Sequence, residues 1–139
     1  MDVLLKILQT AIEGGASDIH LKPDGPVVFR IERALIAVQA PLPTVEWIDK
    51  VVENIVPRHA KKRLEEDREV DFSYHVPGIG RFRTNVFQQK GQWCLAMRYV
   101  KIRVPSFEEL GLLPVLKSIA EAPRGIVLLS GSTGCGKST

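Results

Sequence analysis

Residues 80–101 alternate so regularly that they leave this chain little freedom. Along the first half of the stretch, Arg81, Arg83 and Asn85 fall on one side of an extended segment, with Phe82, Thr84 and Val86 on the other. A second alternating run follows Lys90-Gly91, so the two read as strands 80–89 and 92–101 of a β-hairpin. A tight loop there pairs residues whose numbers sum to 181, which sets Arg98 opposite Arg83 and puts Cys94 and Ala96 among the arginines. Trp93, Leu95, Met97 and Tyr99 then join Phe82 and Val86 on the apolar side. A slip of one residue would mix charged and apolar side chains on both strands, so the register is strongly specified.

The charged side of that hairpin lies in a stretch of 36 residues, Phe72 to Phe107, that has no Asp or Glu. The same stretch carries Arg81, Arg83, Lys90, Arg98, Lys101 and Arg103. Like charges facing each other across a hairpin are destabilising, so this face calls for an anion. One source is a nucleotide phosphate, because guanidinium groups stabilise the charge of a phosphoryl-transfer transition state. A second is the acid-rich segment 65–71, with Glu65, Glu66, Asp67, Glu69 and Asp71. Nucleic acid is a third, disfavoured because no exposed aromatic residues are interleaved with the arginines. The net charge of +3 is too small to decide among them.

The remaining pattern surrounds the hairpin with further α/β elements. Residues 2–13 space Val3, Leu4, Ile7, Leu8, Ala11 and Ile12 as one face of a helix, stopped by Gly14-Gly15. Ser17–Lys22 alternates as a short strand, and 27–32 with 35–39 reads as a strand pair. Thr44 can cap a helix buried through Ile48, Val51, Val52 and Ile55, with Trp47 as core packing. A charged, solvent-facing helix over 58–68 precedes a strand holding Val70, Phe72, Tyr74 and Val76. Beyond Lys101 the pattern changes. Ser106-Phe107-Glu108-Glu109 fits a capping box for a short helix ending at Gly111, and a second helix spans 114–122. Ile126-Val127-Leu128-Leu129 is a continuous apolar run, as in a strand buried on both faces. The expected organisation is a domain over 1–100, a linker over 101–111 and the start of another domain over 112–139.

Composition narrows the class. With 45% hydrophobic and 25% charged residues, the 139-residue chain is neither a disordered tail nor a disulfide-framework miniprotein. Its apolar runs fall well short of the roughly 18 residues of a membrane span, and its acid-containing N-terminus does not read as a signal peptide. Cys94 and Cys135 have no metal-site spacing, which points to a reducing compartment. Asp18 and His20 share a strand face, but no third ligand has local spacing, so they read as a structural polar pair rather than a metal site.

The last nine residues, Gly131-Ser132-Thr133-Gly134-Cys135-Gly136-Lys137-Ser138-Thr139, satisfy G-x-x-x-x-G-K-[ST] in full. The glycines let backbone N–H groups curl around a phosphate; Lys137 would contact the β- and γ-phosphates of ATP and Ser138 would ligate Mg²⁺. The residues after position 111 are too few to make a P-loop domain, so the chain is expected to be the front part of a longer enzyme and inactive as an ATPase alone.

Together these residues resemble the secretion and pilus ATPase superfamily, and within it the pilus-retraction (twitching-motility) branch. The resemblance runs through GGASDIHL (14–21), EEDREVDFSYHVPG (65–78), GRFRTNVFQQKG (80–91), MRYV (97–100), PSFEELGL (105–112) and PRGIVLLSGSTGCGKST (123–139). It implies a PAS-like α/β N-terminal domain, an antiparallel sheet with packed helices, followed by the beginning of a RecA-like P-loop ATPase domain. It further implies a cytoplasmic homo-hexamer held at the inner membrane by a pilus platform protein, with ATP and Mg²⁺ as ligands and no nucleic acid. Arg81, Arg83 and Arg98 fall on the arginine positions that would reach the nucleotide phosphates, and hydrolysis would be coupled to closure between the two domains.

Overall fold

The computed structural model describes residues 1–101 and 105–131 and divides into two compact units, with the division after Lys101. The first unit is built on a six-stranded antiparallel sheet. Its strands are β1 (Asp18–Leu21), β2 (Val27–Ile31), β3 (Ala34–Val38), β4 (Glu69–Val76), β5 (Gly80–Gln89) and β6 (Gln92–Val100), in spatial order β3-β2-β1-β6-β5-β4. The helices are α1 (Asp2–Glu13), α2 (Val45–Ile55) and α3 (Arg58–Asp67).

Local chemistry accounts for most boundaries. The Gly14 N–H donates to the Thr10 carbonyl and the Gly15 N–H to that of Ile12, closing α1, and Gly15 turns the chain away at positive φ. The Thr44 hydroxyl accepts a hydrogen bond from the Trp47 N–H at 3.2 Å, satisfying one of the orphan donors at the start of α2. Two hairpins turn on two-residue loops whose central residues both have positive φ: Glu32-Arg33 between β2 and β3, and Lys90-Gly91 between β5 and β6. That geometry matches the twist of the flanking strands. The β5–β6 register is the expected one, with Arg83 facing Arg98 and Gln89 facing Gln92.

Alternation then sorts the sheet into two faces. Ile19, Leu21, Val27, Phe29, Val70, Phe82, Val86, Leu95 and Met97 enter one core with Leu4, Leu8 and Ala11 of α1, Ile48, Val51 and Ile55 of α2, and Ala60 and Leu64 of α3. Trp47 packs against this core partly buried, as expected. The opposite face of the sheet carries the charges. Between β1 and the hairpin the pairing is non-local: β1 lies between β2 and β6, with Ile19 facing Phe29 on one side and Met97 on the other.

The second unit departs from expectation in two places. Ser106 and Glu109 do exchange the capping-box bonds, at 2.9 and 3.2 Å, but they close a turn over 107–111 rather than a helix. Gly111, at φ 62, redirects the chain before a second turn can form. Among the described residues there, only α4 (Val115–Ala120) is helical. Ile126–Leu129 forms no strand, and its four side chains are 60–87% exposed. A strand buried on both faces needs a neighbour on each side, and no described residues pair with this run. The phosphate-loop residues Ser132–Thr139 lie outside the described residues, so Lys137 and Ser138 remain sequence assignments.

One position links packing to backbone. A methyl group on Gly80 would stand 2.7 Å from Cε2 of Tyr99, whose ring packs against Phe82 with centroids 5.7 Å apart. Gly80→Ala is therefore expected to destabilise the chain by about 1–3 kcal/mol in urea unfolding, because the ring must leave its place in the core. An unchanged midpoint would show that Tyr99 moves freely.

Candidate functional site

The open face of the sheet gathers charged side chains from five strands. Cross-strand pairing sets Arg30 (β2), Asp18 (β1), Arg98 (β6) and Arg83 (β5) in one row, each directly opposite the next. The two arginines that the register forces together are held apart by carboxylates at their outer sides. Arg98 Nε donates to Asp18 Oδ1 at 2.8 Å, and Arg30 Nε lies 3.4 Å from Asp18 Oδ2. On the far side, Arg83 donates through Nε and Nη2 to the two oxygens of Asp71, at 3.1 and 2.7 Å. Asn85 repeats that diagonal reach, donating to Glu69 Oε1 at 3.0 Å. Asp18, Asp71, Arg83, Asn85, Ala96 and Arg98 line a shallow, open depression of about 280 Å³.

The two carboxylates differ in setting. The Asp18 side chain is only 11% exposed, and burial alone would raise its pKa. The Ser17 hydroxyl at 2.8 Å, the Arg98 hydrogen bond and the charges of Arg98 and Arg30 outweigh burial and leave it below the usual carboxylate range. Asp71 is also lowered, chiefly by its hydrogen bonds from Arg83, but its side chain is 44% exposed.

The sequence placed Arg83 and Arg98 correctly and left open what neutralises them. Within this chain, Asp71 of the acid-rich segment does so for Arg83. Asp18 was not foreseen as the partner of Arg98: the two are 80 positions apart, and only the non-local β1–β6 pairing joins them. Asp18 and His20 therefore do not form the expected polar pair. His20 Nε2 is buried without a hydrogen-bond partner among the described residues, while Asp18 turns to the two arginines. Among the described residues, no group of His, Cys, Asp and Glu is placed to hold a metal ion. Arg81 is exposed on the same face and makes no ion pair among the described residues, so it stands apart from the Arg83–Arg98 depression. Cys94, on the arginine face as expected, is buried, and burial pushes its thiol pKa up.

The fold is shared with proteins of known family. Over residues 1–139 the chain matches the type II/IV secretion system protein family, and it belongs to that family. It is 35% identical, over its whole length, to the type IV pilus retraction ATPase PilT of Pseudomonas aeruginosa, of which it covers 40%. It is 31% identical to the type IV pilus ATPase PilU of the same organism, covering 96% of this chain and 35% of that protein. A crystal structure of the pilus retraction motor PilT with bound ADP superposes with a TM-score of 0.86 at 37% identity, covering 98% of this chain and 40% of that one. The chain thus spans about two fifths of the length of these relatives.

Asp18 gives a direct test of the row. Its pKa is lower in the folded state than the roughly 3.9 of an unfolded chain, so its contribution to stability is present above about pH 4 and is lost as pH falls through the folded value. Asp18→Asn is expected to cost about 1–2 kcal/mol at pH 7, discounted for the exposure of Arg98. The gap from the unaltered chain should close on acidification, as read by urea unfolding at a series of pH values. A gap that stays constant with pH would remove the charge from the explanation.

Proposed function

We propose that this chain is the front part of a hexameric motor ATPase that drives type IV pilus retraction, acting in the cytoplasm at the inner-membrane pilus platform. In this reading residues Gly131–Thr139 hold ATP, with Lys137 on its phosphates and Mg²⁺ on Ser138. Arg83 and Arg98, with Arg81 beside them, supply positive charge to the phosphates, and hydrolysis is coupled to closure between the N-terminal and RecA-like domains. The observation that carries the proposal is the Arg83–Arg98 juxtaposition on an open sheet face, in a chain 35% identical to a retraction ATPase. Asp18 and Asp71 offset the repulsion between the two guanidinium groups within the chain, and the clustered positive charge suits the negative charge that develops in a phosphoryl-transfer transition state.

In the longer protein carrying the remaining ATPase domain, Arg83→Ala is expected to lower ATP turnover by about a hundredfold or more while nucleotide binding changes little. Undiminished turnover would take the arginines out of the mechanism.

A second reading has its own support. The chain is also 32% identical to the type IV pilus assembly ATPase TfpB of Acinetobacter baylyi, of which it covers 25%. Loss of the gene in its host should leave cells piliated but unable to twitch. Cells without pili would instead assign the protein to assembly.

A further inference from the structure

Arg98 and Arg83 are presented in opposite ways. Asp18 engages Arg98 through Nε alone, so among the described residues the two terminal nitrogens of that guanidinium make no hydrogen bond, and Arg98 lines the depression. Asp71 takes both Nε and Nη2 of Arg83, the same fork that would grip a phosphate. The Asp18 carboxylate is buried and tied to Ser17, Arg30 and Arg98 at once, whereas among the described residues the exposed Asp71 carboxylate is hydrogen-bonded to Arg83 only. One carboxylate is built in; the other can leave.

We propose that Asp71 is a competitor for the nucleotide phosphate and masks Arg83 until the phosphate displaces it, while Asp18 is a positioning residue that holds Arg98 ready. This rests on the reading above, that Arg83 and Arg98 act on bound ATP. The order of events follows from the two clamps. A phosphate meets Arg98 without breaking any protein contact, and it gains Arg83 only when the Asp71 pair opens. The carboxylate then swings into solvent, with no covalent step and no proton transfer. Because Arg83 is engaged late, the Asp71 pair sets a cost on turnover more than on binding.

The test is ATP hydrolysis by the full-length protein. Asp71→Asn keeps the side chain's shape, removes the competing charge, and is expected to raise kcat by about two- to fivefold with little change in KM. Loss of a merely structural ion pair would leave kcat level or reduced, and that outcome overturns the proposal. The double variant D71N/R83A should show none of the gain, since there is no longer an arginine to release. A gain that survives in the double variant also overturns it. Asp18→Asn should move kcat in the opposite direction to Asp71→Asn, and a rise there would abolish the distinction between the two carboxylates. Melting temperatures of all variants confirm that folded protein is compared. If Arg83→Ala alone retains full turnover, the reading of the arginines fails. If Arg83→Ala is impaired yet Asp71→Asn brings no gain, only the masking role fails.

Discussion

Everything in the first unit depends on where β1 inserts. This four-residue strand joins the β2–β3 hairpin to the three-stranded β4–β5–β6 meander, and a two-stranded hairpin left by itself is marginal in water. Its register fixes both faces at once. Ile19 and Leu21 enter the helix-packed core, and Asp18 comes between Arg30 and Arg98. Sliding β1 by one residue would bring Asp18 into the core and Ile19 onto the charged row, so packing and electrostatics enforce the same alignment.

That double enforcement explains what the sequence could and could not reveal. The β5–β6 register was readable because it is local: a two-residue turn and clean alternation leave a single alignment. The Thr44 cap and the Gly14-Gly15 stop were readable for the same reason. The Ser106–Glu109 bonds were legible as chemistry, but whether a cap is followed by a helix depends on what comes next, and Gly111 comes too soon. Asp18 was the residue least open to sequence reasoning. Nothing in SDIHLK indicates which strand will lie beside it, and the arginine it meets belongs to the far half of the sheet. The apolar run Ile126–Leu129 marks the opposite limit, since the burial its composition suggests depends on strands that no described residues supply.

The arginine row also shows how a basic face can be stable without bound anion. Three guanidinium groups from β2, β6 and β5 are interleaved with two carboxylates from β1 and β4, so the repulsion built into the hairpin register is answered inside the chain. The hairpin's acid-free stretch is complete only along the sequence. In space, acids from either side of it close on the arginines, and the +3 of the whole chain is not concentrated where the linear pattern suggested.

The pleat of β5 and β6 has a consequence for how such a chain can change over generations. Phe82, Val86, Leu95 and Met97 answer to volume and shape, while Arg83, Asn85 and Arg98, their immediate neighbours in sequence, answer to charge and hydrogen bonding. Adjacent codons are therefore under separate selection. A lineage can alter the charged row by point substitutions without renegotiating the core, and it can repack the core without disturbing the row.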